Sequence, residues 1–182
     1  MSKTVEKTIL ERRSIRRYER LPIPSDDMQY IYNAIRNTPT SYNGQQYTVI
    51  DIDDQPLKEL IYEITGEKQI KTCNHFLVFC ADYNKISVIA RDKGISDIPF
   101  VRTVDGYTVG IIDATLALMN ALTAAESRGL GTCCVGYMRT AAPDRLSELL
   151  QLPRGVTIVC GLAIGIPREH PDIKPKQPES LL

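Results

Sequence analysis

Phe76-Leu77-Val78-Phe79-Cys80-Ala81 is an unbroken apolar run. A strand with one wet face alternates polar and apolar residues; a run that does not alternate reads as a strand buried on both faces. Val156 to Gly165 reads the same way. Two such strands need cover from both sides. Helical spacing elsewhere supplies it, so the chain is expected to be α/β or α+β.

The helices and remaining strands follow from periodicity and punctuation. Residues 4 to 11 read as a short helix with Val5, Thr8 and Ile9 on one face. Pro22 and Pro24 force an extended link. Ser25 is expected to cap a helix carrying Asp26 and Asp27 in its first turn and Met28, Ile31, Tyr32 and Ile35 on its inner face. Pro39 ends it. Tyr47 to Ile52 is a β-branched strand. Leu57, Leu60, Ile61 and Ile64 mark a helix closed by Gly66. Residues 84 to 93 form a weak amphipathic helix.

From Gly94 to Tyr107 the pattern breaks at Pro99, Phe100 and Gly106, which reads as a mobile, substrate-facing segment. Gly110 to Arg128 is a helix so apolar that it must lie centrally or against another subunit. Gly131 to Gly136 is a short strand, and Pro143 to Leu150 a helix opened by proline. Pro167, Pro171, Pro175 and Pro178 make residues 166–182 an extended arm. One domain over 1–182 is expected.

The 22 basic and 22 acidic residues cancel. No broad basic face is therefore expected for nucleic acid. Against that balance, Arg12-Arg13-Ser14-Ile15-Arg16-Arg17-Tyr18 concentrates four arginines. Like charges so close are best tolerated beside an anion, and the guanidinium fork and the Ser14 hydroxyl suit phosphate oxygens. The cluster alone reads either as a solvated basic turn or as a site for a small phosphorylated ligand. The five cysteines, Cys73, Cys80, Cys133, Cys134 and Cys160, contain no CxxC pair, and His75 and His170 are the two histidines. That argues for reduced cysteines serving as small core residues and against a metal site. No unbroken apolar run reaches bilayer length and Met1 to Glu11 has no apolar signal core, so no membrane association and a cytoplasmic location are expected.

Four stretches together resemble the FMN-dependent nitroreductase family, most closely its bacterial oxygen-insensitive nitroreductase and flavin reductase branch. They are Arg13-Ser14-Ile15-Arg16; Phe79-Cys80-Ala81-Asp82; Asn120-Ala121-Leu122 through Ala124-Ala125-Glu126-Ser127 to Gly129-Leu130-Gly131; and Asp172-Ile173-Lys174-Pro175-Lys176-Gln177-Pro178. The resemblance spans about residues 5 to 180. It implies an α+β fold of three α/β/α layers, with a central, mostly antiparallel sheet flanked by helices, in an intertwined homodimer.

It also implies FMN as cofactor and NADPH or NADH as reductant. Arg12, Arg13, Ser14 and Arg16 carry over as the phosphate site, joined by Lys174 and Lys176 from the arm. Thr40, Ser41, Asn43 and Gln45 match the loop at the flavin edge. Lys68 and Gln69 match ring contacts. Val135, Gly136 and Tyr137 match the segment along the flavin. Phe100, Tyr107 and Tyr137 are expected to line the substrate pocket, and no side chain acts as nucleophile.

The implied reaction is ping-pong, two-electron hydride transfer through flavin N5 to nitroaromatics, quinones or free flavin. A dehydrogenase or dehalogenase of one metabolite, or a non-catalytic FMN-binding protein, are the alternatives. In that branch an extension beyond the Lys-Pro motif helps select NADPH. The sequence stops at Leu182, which leaves the choice of NADPH or NADH open, and residues 93–107 match too poorly to name the substrate.

Overall fold

A computed structural model describes residues 3–181. Its centre is a four-stranded sheet built from β1 (Tyr47–Ile52), β2 (His75–Asp82), β3 (Gly131–Val135) and β4 (Val156–Gly165), in the order β1-β2-β4-β3. Each neighbouring pair is antiparallel, so the fold is α+β rather than α/β. The helices are α1 (Val5–Glu11), α2 (Ser25–Arg36), α3 (Gln55–Thr65), α4 (Lys68–Thr72), α5 (Asn84–Asp92), α6 (Val104–Ser127) and α7 (Pro143–Leu149).

The pleat of β2 sorts its apolar run between two cores. Leu77, Phe79 and Ala81 pack with α2 and α6. Phe76, Val78 and Cys80 pack with α3, α4 and α7. Three layers result, as the unbroken run requires. Gly161 of β4 lies so close to its neighbours that an added methyl would collide with the Phe76 ring of β2 and press on Met138. Gly161→Ala is expected to cost about 1–3 kcal/mol from overpacking. Urea unfolding checks it; an unchanged midpoint would mean that the Phe76 ring has room to move.

Several expectations need correction. Ser25 does not cap α2; Pro24 occupies that place and Ser25 is the first helical residue, while Asp26 and Asp27 keep their positions in the first turn. On α1 only Thr8 is buried, and Val5 and Ile9 are 70% and 50% exposed. Helix α6 begins at Val104, not Gly110. The Thr103 hydroxyl accepts the Gly106 N–H at 2.9 Å and starts the helix early, and Gly106 lies so close to the Phe100 carbonyl that no larger side chain fits. With its six extra residues α6 is long and apolar enough to cross a membrane by length and composition alone, but its inner face lies in the core.

Cys134 is exposed, so it is not a core residue; all five cysteines are free. The arm runs extended from Ile166 and closes in a 3-10 turn at Glu179–Leu181. Leu182 lies outside the described residues.

Candidate functional site

The arginine cluster is fixed by backbone before any side chain acts. Ser14 forms an isolated parallel bridge with Thr132, and the Ile15 N–H donates to the Thr132 carbonyl at 2.8 Å. The segment thus extends the sheet beside the start of β3. Tyr18 anchors its far side: the buried hydroxyl donates to the Ile15 carbonyl at 2.5 Å, and burial pushes its pKa up. The arm joins there, with Tyr18 bridged to Pro167, the Arg168 N–H donating to the Arg17 carbonyl at 3.0 Å, and Glu169 accepting the Arg16 N–H at 2.6 Å.

Between this segment and α3–α4 lies a cavity of roughly 560 Å³. Arg16, Arg17, Lys68 and Arg168 bring cations to it, and Glu67 and Gln69 line it too. The Gln69 amide is oriented by Glu67, which accepts from Nε2 at 2.6 Å. Of the expected site, Arg16, Lys68 and Gln69 therefore meet in one place. Arg17 and Arg168 were not expected. Arg17 belongs to the basic run, but nothing in the sequence ties Arg168 to it until the arm folds back.

Arg12 faces away from the cavity. Its Nε is 3.7 Å from Glu126 Oε1 on α6, and is buried without a hydrogen-bond partner among the described residues. Glu126 also accepts from the Thr132 hydroxyl at 2.6 Å. Burial pushes the Glu126 carboxyl above its ordinary value of 4.5, against that hydrogen bond and the Arg12, Lys3 and Arg13 charges, which pull it down. The folded chain holds a proton there more tightly than the unfolded chain. This group's contribution to stability therefore falls as pH rises from about 4.5 through the raised value. Glu126→Gln should gain stability relative to the parent chain between pH 4.5 and 7, read as urea midpoints. A pH-independent difference would contradict the assignment.

Strand β3 carries the site onward. Thr132 and Gly136 are roughly 13 Å apart along it. Val135 is buried, while Gly136 opens the turn Gly136–Arg139 with nothing within 4 Å of where a Cβ would stand. Tyr137 is half exposed beside it. Lys174 and Lys176 are exposed on the arm and are not part of the cavity lining.

Thr40, Ser41, Asn43 and Gln45 lie elsewhere. Their loop carries positive φ at Tyr42, Asn43 and Gln45 and hangs on Asp113 of α6, whose carboxylate accepts the Ser41 and Gln46 N–H groups at 3.1 and 3.2 Å. The Gln46 carbonyl accepts from the Asp82 N–H, which fixes the loop at the end of β2. The arginines sit at the other end: Thr132 pairs with Ile164, and Ile164 with His75. The eight residues of β2 put roughly 23 Å between these ends. Phe100 and Tyr107 share the loop's end, where the Tyr83 hydroxyl contacts the Gly106 and Tyr107 carbonyls. One chain thus brings the expected site together in two halves that do not meet.

The model of the nitroreductase family matches residues 9–166. The chain belongs to the nitroreductase family. It is 38% identical to a Bacillus subtilis FMN reductase [NAD(P)H] across 96% of this chain and 70% of that protein. It is 34% identical to the oxygen-insensitive NADPH nitroreductase of Salmonella typhimurium, across 100% of this chain and 73% of that one. The solved structure of the NfrA1 nitroreductase from Bacillus subtilis superposes with a TM-score of 0.94 at 31% identity, covering 98% of this chain and 72% of that one. This family carries the fold described above, as the resemblance implied.

Proposed function

We propose that this nitroreductase-family chain binds FMN and passes electrons from NADPH or NADH to a small electron-poor acceptor: a nitroaromatic, a quinone or free flavin. The observation that carries this reading is the basic cavity at Arg16, Lys68 and Arg168, continued along β3 to the open backbone at Gly136. Its residues fit the cofactor. Arg13, Ser14 and Arg16 suit the phosphate, Lys68 and Gln69 the polar edge of the ring, and Val135, Gly136 and Tyr137 its face. The names of the relatives, an FMN reductase and an NADPH nitroreductase, support the same reading.

FMN, when bound, supplies the two-electron chemistry. The chain's part is placement and charge. Lys68 would set fixed positive charge at the ring's polar edge, where it would stabilise developing negative charge. Gln69, held by Glu67, offers an oriented amide. Tyr137 shields one side.

The second half-site favours a homodimer. Thr40, Ser41, Asn43, Gln45, Phe100 and Tyr107 reach the ring from a second copy if the two are related by a twofold axis, which completes two sites at once. Ile112, Leu116 and Met119 are each partly exposed along α6 and give such a pair an apolar surface to bury. Lys174 and Lys176 reach a phosphate from the arm in the same assembly. Five free cysteines fit a reducing compartment, the cytoplasm.

Initial rates with NADPH and p-benzoquinone test the reading. Parallel double-reciprocal lines are expected, since one pocket serves donor and acceptor in turn. Converging lines, or no turnover with either NADPH or NADH, would contradict it.

A further inference from the structure

At the Asp82 end of the sheet a second cleft, of roughly 470 Å³, opens between α5, residues 95–102 and the turn before β4. Ala90, Ile98 and Val101 give it an apolar floor, and Arg91, Arg102 and Arg154 stand around it. None of these residues belongs to the site described above.

Each arginine rides on a backbone that is locked separately. Arg91 is in the last turn of α5, which Gly94 closes at φ +74°, with the Ile95 N–H returning to the Ala90 carbonyl at 2.8 Å. Arg154 is on a turn closed by the Val156 N–H to the Pro153 carbonyl at 3.1 Å and tied to β2 by the Tyr83 N–H to the Gly155 carbonyl at 2.9 Å. Arg102 ends the 3-10 turn Pro99–Arg102 and is paired with Asp97 at 2.8 Å. Asp97 is the one carboxylate in the lining among the described residues. Arg91 and Arg154 form no ion pair among those residues. Three elements thus place two exposed guanidinium groups without ion-pair partners among the described residues around one apolar floor. That pairing of an apolar floor with fork-shaped donors suits one class of ligand.

We infer that this cleft is a separate binding site for an organic anion, a phosphate or carboxylate carried on an apolar body. The adenosine phosphate end of a nicotinamide donor and a free nucleotide share that chemistry. The inference stands on the cleft's own residues and is independent of the FMN reading.

The probe is a fluorescent N-methylanthraniloyl derivative of AMP, titrated into the full chain saturated with FMN so that the first cavity is filled. The parent chain is expected to bind it in a salt-sensitive manner, and the Arg91→Glu/Arg154→Glu variant at least tenfold more weakly, with unchanged FMN affinity. Displacement of the probe by NADPH, with a raised KM for NADPH in the variant, supports the site and identifies the donor as its source. Loss of probe binding with an unchanged KM supports it as a site for a free nucleotide. No binding to the parent chain at millimolar probe, or equal binding to both, would overturn it. Should the double variant not fold by circular dichroism, Arg154→Gln on its exposed turn is expected to weaken the probe at least threefold, and no change there would overturn the inference equally.

Discussion

Replacing Arg13 and Arg16 together with alanine should strip the chain of FMN at micromolar concentration. A hydrogen bond to a charged group is worth about 1.5–3 kcal/mol. Losing one from each side chain weakens binding by roughly 10²–10⁴-fold. Ser14 and the backbone remain in place, since the Ile15 N–H to the Thr132 carbonyl fixes the segment without either guanidinium. The variant should therefore fold normally and fail at the ligand. Quenching of FMN fluorescence on titration measures it, and affinity within threefold of the parent would remove the phosphate from this cluster. Arg12→Ala should behave differently. Arg12 faces Glu126, so its loss should appear in stability before it appears in FMN binding.

The second large effect is expected at Asp113. This side chain is 0% exposed and holds two N–H groups of the 40–46 loop. Asp113→Ala leaves both donors without their acceptor, at about 1–3 kcal/mol each where water does not reach them. A loss of about 2–4 kcal/mol is expected on urea unfolding. Asp113→Asn keeps one oxygen and should recover part of it. The same change should weaken FMN binding as well, because in the proposed homodimer this loop reaches the ring of the second copy's site. A stability change under about 0.5 kcal/mol would mean that other contacts hold the loop.

The sheet was legible because its strands are made of what strands bury. Tyr47–Ile52 and Val156–Gly165 have the same bounds in sequence and structure, and the Phe76–Ala81 run announces a strand covered on both faces. The beginning of α6 was not legible. Pro99 and Gly106 look like breakers, yet Gly106 is there because the chain passes the Phe100 carbonyl too closely for a side chain, and Thr103 caps the helix around it. Helix α4 is five residues long, too short to show a period.

The basic run at the candidate site is legible in the sequence; the arrangement around it is not. The basic run signals an anion locally. That Arg12 turns to Glu126, and that Arg168 and Glu169 return to the run, depends on contacts between residues more than a hundred positions apart. The separation of the Thr40–Gln45 loop from the arginines follows only from strand register. Periodicity says nothing of register, so that separation cannot be read from pattern.

The most direct test of the account is the visible spectrum of the purified chain incubated with FMN and freed of excess, recorded anaerobically before and after NADPH and, separately, NADH. The account predicts a bound flavin spectrum that bleaches with at least one donor and returns when an electron-poor acceptor is added. A chain that retains no flavin, or a bound flavin that neither donor bleaches, would contradict it.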